Sequence, residues 1–209
     1  MKIKDKNIFF CSDPHFNHKN ICEGVTEWGK GGSATRPFQT LEEMNSKLID
    51  SINRKVGADD YLFCLGDWAF GGVDSIFTFR DNIKCNNIIL TYGNHDHHII
   101  NNKYPLNQDS STQELFNLTD YYIELETKYH NFVMSHYLIV TWNNMRRGAI
   151  HLFGHVHLSP EDKIREGKAM DVGFDGNENF EPYSLDEVVE LMSKQPIRNI
   201  SIPQEKDHH

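Results

Sequence analysis

The chain predicts an α/β fold built on a parallel sheet, and two observations carry that expectation. Short, continuously apolar runs at 8–12, 61–65 and 88–92 alternate with stretches of helical periodicity, the pattern of βαβ units. Each run also ends in polar residues able to bind a cation or move a proton, and in open parallel sheets sites gather outside the carboxyl ends of the strands. These endings are Asp13-Pro14-His15, Gly66-Asp67 and Gly93-Asn94-His95-Asp96.

The first run, 8–12, has no polar alternation, as expected of a strand buried on both faces. Residues 16–38 are polar and glycine-rich and read as a long loop carrying Trp28 and Arg36. The clearest helix spans 40–56, with Leu41, Met44, Leu48, Ile49, Ile52 and Val56 on one face. Thr40 and Glu43 form its capping box, and Gly57 ends it. A weaker helical pattern over 73–83 separates the second and third runs. Residues 101–119 read as irregular, with one helical turn around Leu115 and Phe116. The runs 121–126 and 132–135 form a hairpin with His136 at its far end. Further strands are expected at 149–153 and 168–172, and a last helix at 184–194 is capped by Ser184 and Glu187. No repeat or linker divides the chain, so residues 1–209 are expected to form one domain.

Composition narrows the function classes. Lys plus Arg number 21 against 30 Asp plus Glu, and the resulting net charge of −9 disfavours backbone-driven nucleic-acid binding. No apolar stretch approaches a membrane span or a signal-peptide core, so a cytoplasmic protein is expected, with no membrane partner. Cys11, Cys22, Cys64 and Cys85 form no CxxC pair and read as buried free thiols in a reducing compartment.

The chemistry-bearing residues form one set. Asp13 with His15, and His155 with His157, are spaced two apart, which in extended backbone points both side chains to one side. Asp67 follows a glycine that permits a sharp turn, and Asn94 and His136 stand at strand ends. The seven offer four imidazoles, two carboxylates and one amide oxygen. Mixed N/O ligation suits Mn, Fe or Zn, and seven ligands suit two ions sharing a carboxylate. The expected cofactor is therefore a pair of divalent ions (Mn, Fe, Zn or Ni), with Mn favoured.

The ordered set Asp13-Pro14-His15, Gly66-Asp67, Gly93-Asn94-His95-Asp96, His136 and Gly154-His155-Val156-His157 resembles the five motifs of the calcineurin-like metallophosphoesterase superfamily. The longer string from Ser12 to Ile21, with Arg36-Pro37-Phe38, is similar to a compact bacterial and phage branch. The resemblance implies a two-sheet β-sandwich flanked by helices, a four-layer arrangement with a dinuclear site between the sheet ends. It implies one ion on Asp13, His15 and His157, a second on Asn94, His136 and His155, and Asp67 bridging them. A metal-bound hydroxide would attack the phosphorus. His95 would protonate the leaving oxygen, and Asp96 would orient His95.

The segment after Asp67 lacks the Asp-Arg-Gly of Ser/Thr protein phosphatases, and Asp96 stands where those enzymes have Glu. Both departures point away from phosphoproteins. They leave diesters, cyclic nucleotides and other small phosphoesters as substrates, with a nuclease on the same site as the alternative and a non-catalytic scaffold as a third reading. His18, Lys19 and Arg36 are candidates for phosphate or base contact, being on the loop that leaves the first motif. Trp28 is either a base-stacking platform or a loop anchor, and Trp68 is expected to wall the site. Asp171 and Asp175 are expected to accept hydrogen bonds from the histidine clamp. His97, His98 and His151 receive no role.

Overall fold

The computed structural model describes residues 1–4, 6–27, 36–104 and 109–198. In chain order the elements are β1 (Ile8–Cys11), α1 (Leu41–Lys55), β2 (Tyr61–Cys64), α2 (Val73–Asn82), β3 (Asn87–Thr91), α3 (His97–Ile100), β4 (Leu118–Asp120), β5 (Tyr122–Glu126), β6 (Asn131–Ser135), β7 (Ile150–Phe153), β8 (Ile164–Arg165), β9 (Ala169–Asp171), β10 (Tyr183–Ser184) and α4 (Leu185–Ser193). They form two five-stranded sheets, ordered β10-β1-β2-β3-β4 and β5-β6-β7-β9-β8. β1 to β4 run parallel, as do β6, β7 and β9, while β10, β5 and β8 are antiparallel at the margins. This is the expected two-sheet sandwich with flanking helices.

The apolar runs lack alternation because both faces of the central strands are covered. Phe9 and Cys11 of β1 face α1 and α2, joining Met44, Leu48, Ile52, Ile76 and Phe79. Ile8 and Phe10 point the other way, into a core shared with Phe132, Met134, Ile150 and Leu152 of the second sheet and closed by Val188 and Met192 of α4. Phe10 is fully buried, with its ring 5.7 Å from Phe63 and 5.3 Å from Phe132, so it pins one sheet to the other. The outer face of the second sheet is covered by the segment after His136, through Trp142 and Met145.

The helix ends follow the sequence. Thr40 Oγ1 accepts from the Glu43 N–H at 3.1 Å, although the Glu43 carboxylate reaches the Gln39 amide and not that of Thr40. Ser184 and Glu187 make the full reciprocal box. Two loop expectations change. The 101–119 stretch runs into β4, an edge strand, and the 16–38 excursion is pinned down where it is described. Phe16 bridges to Ala69, Cys22 bridges to Arg36, and Phe16, Ile21 and Cys22 are buried. Trp28 lies outside the described residues. All four cysteines are free and buried. Among the described residues no helix is long and apolar enough to cross a membrane.

Candidate metal centre

The parallel strands of both sheets end at one place. β1 delivers Asp13 and His15, β2 Asp67, β3 Asn94 and His95, β6 His136, and β7 His155 and His157. The local geometry is not the extended one that the spacing suggests. Asp13, His15, Asp67, His155 and His157 have φ of 53°, 48°, 56°, 74° and 50°, all in the left-handed region. That region costs a non-glycine residue roughly 1–2 kcal/mol, and such strain collects at functional sites. Backbone bonds hold the turns: the Asp13 amide donates to the Gly66 carbonyl and the His15 amide to that of Asp67, each at 3.0 Å. The approach is so close that a Cβ on Gly93 would lie 2.1 Å from Asp67 Oδ1, and one on Gly154 would lie 1.9 Å from Ser12 Oγ.

The structure brings the predicted ligands together in two overlapping groups. Asp13, His15 and His157 present ligand atoms within 4.8 Å of one another, and so do Asp13, Asp67 and His136. Asn94 Oδ1 joins the second group, 3.0 Å from His136 Nε2 and 2.9 Å from His155 Nδ1. Asp67 Oδ2 stands 3.6 Å from both His15 Nε2 and His136 Nε2, between the two groups. Its other oxygen accepts the His95 backbone N–H at 2.8 Å. Asp13 reaches both groups, which the motif resemblance alone does not imply.

The cluster fits divalent cations. His136 Nδ1–H donates to the Leu65 carbonyl, and His157 Nδ1–H donates to Asp175, both at 2.8 Å, so in the neutral rings each Nε2 lone pair faces the cluster. Asp13 Oδ1 is buried there with no hydrogen-bond partner among the described residues. Burial and the charges of Asp13 and Asp96 push Asp67 up to about 8. A site of converging acceptors and crowded carboxylates lacks positive charge, which bound cations supply.

On the open side, His95 is exposed, with its ring 5.6 Å from that of His15. Burial of part of the ring, then the neighbouring His136, lowers its pKa. Phe70 packs against this group, its ring centroid 5.4 Å from His15, 4.6 Å from His95 and 3.7 Å from His18. Tyr137 stands 4.6 Å from the His155 ring. The sequence reading assigns neither aromatic a role. Their one signal is position, Phe70 in the loop after Asp67 and Tyr137 directly after His136.

Several expectations are corrected. Asp96 does not orient His95 through its side chain. Its carboxylate accepts from the backbone amides of Asp67, Trp68 and Gly93 at 2.8–2.9 Å, bracing one ligand turn against the other. Trp68 is no wall of the site: it is fully buried, packs against Phe79 and Phe116, and donates its indole N–H to the Ile76 carbonyl. Arg36 is likewise 0% exposed and bound to Asp175 beneath the cluster, out of reach of a substrate. Lys19 pairs with Glu27 on the surface. His18 does lie beside the site, edge-on to His15, and burial lowers its pKa to about 4. Asp175 bonds His157 as expected, whereas Asp171 accepts from the Leu158 and Gly173 amides instead.

A cation-fitting N/O cluster at the ends of the parallel strands of two mixed sheets, with an imidazole on its open side, is the arrangement of a metal-dependent phosphoesterase. The calcineurin-like phosphoesterase family model matches residues 6–186, and the chain belongs to that family, a hydrolase of phosphoric esters. An uncharacterized protein of Methanocaldococcus jannaschii is 28% identical over 195 residues, spanning 90% of this chain and 93% of its own. A protein of unknown function from Aquifex aeolicus has a similar fold, with a TM-score of 0.61 at 19% identity over 90% of this chain and 100% of its own. A phosphoesterase from E. coli aligns over 80% of this chain and 78% of its own, with a TM-score of 0.39 and 15% identity.

Proposed function

We propose that the chain hydrolyses a small phosphodiester, nucleotide or phosphomonoester at this centre, using two divalent ions and His95 as the proton donor. Asp13, His15 and His157 would hold one ion and Asn94, His136 and His155 the other, with Asp67 shared. The observation that carries the reading is Asp67 Oδ2, which faces His15 and His136 at 3.6 Å each. When bound, such ions neutralise phosphoryl oxygens and acidify a water. Mn is the favoured ion because the donors mix imidazole with oxygen and include no thiolate.

The chain's own residues do the rest. The Asp96 carboxylate fixes the turn carrying Asn94 and His95 against the loop carrying Asp67. His95 is thereby held beside the ligand cluster while its ring stays exposed. Burial and His136 favour its neutral form, so an anionic phosphate arriving next to the ring supplies the charge that favours imidazolium. The imidazolium then delivers its proton to the departing ester oxygen, a contribution of about 10²–10⁴-fold in rate. Phe70 shapes the wall behind His95 and His18. A net charge of −9 supports a small ester over a nucleic-acid polymer.

The test is a substrate panel after metal analysis. The Mn-loaded protein is expected to cleave a p-nitrophenyl phosphodiester, and Asp67→Asn to abolish cleavage. A protein that binds two ions yet is inert on mono-, di- and cyclic esters contradicts the reading. Degradation of single-stranded DNA or RNA in preference to small esters would move it to a nuclease.

A further inference from the structure

Arg36 is a fully buried, heavily bonded side chain beneath the centre, and the proposed chemistry gives it no part. Its five N–H groups all have partners. Nε donates to Asp175 Oδ1 at 3.2 Å, and Nη2 donates to Asp175 Oδ2 at 2.9 Å and to the Asp13 carbonyl at 2.6 Å. Nη1 donates to the Pro14 carbonyl at 2.8 Å and meets Met44 Sδ at 3.7 Å. The guanidinium also lies 4.9 Å from the Phe180 ring centroid. Burying a cation this completely is costly unless its partners repay it. Three of these partners, Asp175 and the carbonyls of Asp13 and Pro14, lead to candidate ligands of the centre.

Asp175 Oδ2, which accepts from Arg36 Nη2, also accepts Nδ1–H of His157 at 2.8 Å. On the far side of that ring, Nε2 faces Asp13 Oδ1 at 3.8 Å and His15 Nε2 at 3.1 Å. Both Asp175 oxygens accept from Arg36 and Oδ2 also accepts from His157, so the carboxylate is held as an acceptor between the guanidinium and the ring. The second route runs through the backbone. Arg36 grips the carbonyls of Asp13 and Pro14, between two residues in the left-handed region. His15 needs that grip, because its Nδ1 is buried with no hydrogen-bond partner among the described residues. The one side-chain bond of its ring among the described residues is Nε2 to His157 Nε2 at 3.1 Å, so its orientation follows from the turn, from that contact and from packing against His157 and Phe70.

We propose that Arg36 is a positioning residue of the metal centre: through Asp175 it fixes His157 as the Nδ1–H tautomer with Nε2 aimed inward, and through two carbonyls it fixes the turn that aims Asp13 and His15. This rests on reading the ligand cluster as a metal centre. It also gives the 16–38 excursion a purpose, which is to carry a planar five-donor fork underneath three ligands at once.

The test compares Arg36→Lys and Asp175→Asn with wild type in two measurements. Lysine keeps the charge but offers three donors from one nitrogen, so it cannot reach Asp175 and both carbonyls together. Asparagine loses the charge and can turn either its C=O or its NH₂ to His157 Nδ1, so it no longer dictates the tautomer. The first measurement is the ¹⁵N spectrum of His157 in the metal-free protein, at a pH where its own titration shows the ring neutral. Wild type is expected to show one Nδ1–H tautomer and both variants a mixture. The second is Mn²⁺ titration calorimetry. Affinity at one of two sites is expected to fall about 10–100-fold, with the other within about twofold. If Arg36→Lys does not fold, Asp175→Asn decides by the same two readouts. A folded variant with a single tautomer and wild-type affinity at both sites overturns the proposal. Wild-type protein that binds no Mn²⁺ overturns the metal-centre reading instead, and the tautomer spectrum still tests the positioning of His157.

Discussion

Removing the Asp96 carboxylate should cost stability and activity together. Asp96 is 2% exposed, and its two oxygens accept three backbone N–H bonds, from Asp67, Trp68 and Gly93. Burial pushes its pKa up while those amides pull it down, so the side chain is held by them against its own desolvation. In Asp96→Ala three amides lose their acceptor, and Asp67, Trp68 and Gly93 are themselves buried. At about 1–3 kcal/mol per stranded buried donor, with partial relaxation, a loss of about 3–5 kcal/mol follows. Asp96→Asn keeps one acceptor oxygen but points an NH₂ at an N–H, and should fall between wild type and alanine. Urea unfolding monitored by circular dichroism measures both, with an unchanged m-value marking a pure stability effect. A cost under about 1 kcal/mol for alanine refutes the brace. Wild-type stability with loss of only the acid step would restore the direct Asp96–His95 contact suggested by the motif.

Two other outcomes follow. His151 is fully buried and neutral, donating Nδ1–H to the Val133 carbonyl and accepting the Ile139 N–H at Nε2. Burial lowers its pKa to about 4, so on acidification the unfolded chain takes up the proton first. Stability is full above about pH 6.5 and declines by about 3 kcal/mol towards pH 4. His151→Asn should remove that part of the pH slope in denaturation at several pH values, and an unchanged slope would contradict the assignment. Phe10→Ala empties the contact between the sheets and should cost about 3–5 kcal/mol in the same unfolding assay; a loss under about 1 kcal/mol would mean that the two cores do not meet through this ring.

Much of the fold was legible because burial leaves a plain signal. β1, β2 and β3 lack alternation, and both their faces prove to be covered. β4 was illegible for the opposite reason: Leu118 and Asp120 are exposed, and the strand is recruited by pairing with β3 and by the Thr119 hydroxyl bond to Tyr92. The site was legible as an ordered set of residue types at strand ends. Its geometry was not, since i, i+2 spacing suggests extended backbone and the residues adopt left-handed turns held by partners distant in sequence. Arg36 and Trp68 were misplaced on one ground. A charged residue on a polar loop and an aromatic beside a ligand both look like surface, and only tertiary packing shows that each is buried. His151 drew no role from sequence because its two partners are backbone groups that no motif marks.

The proposed role of His95 is to protonate the leaving oxygen beside a metal centre it does not itself build. The most direct measurement compares His95→Ala with wild type, both loaded with Mn²⁺, on an alkyl phosphoester and its p-nitrophenyl counterpart. The variant is expected to bind two ions as wild type does. It should lose about 10²–10⁴-fold on the alkyl ester and far less on p-nitrophenolate, which departs without a proton. Equal losses on both esters, or loss of a bound ion, would contradict the account.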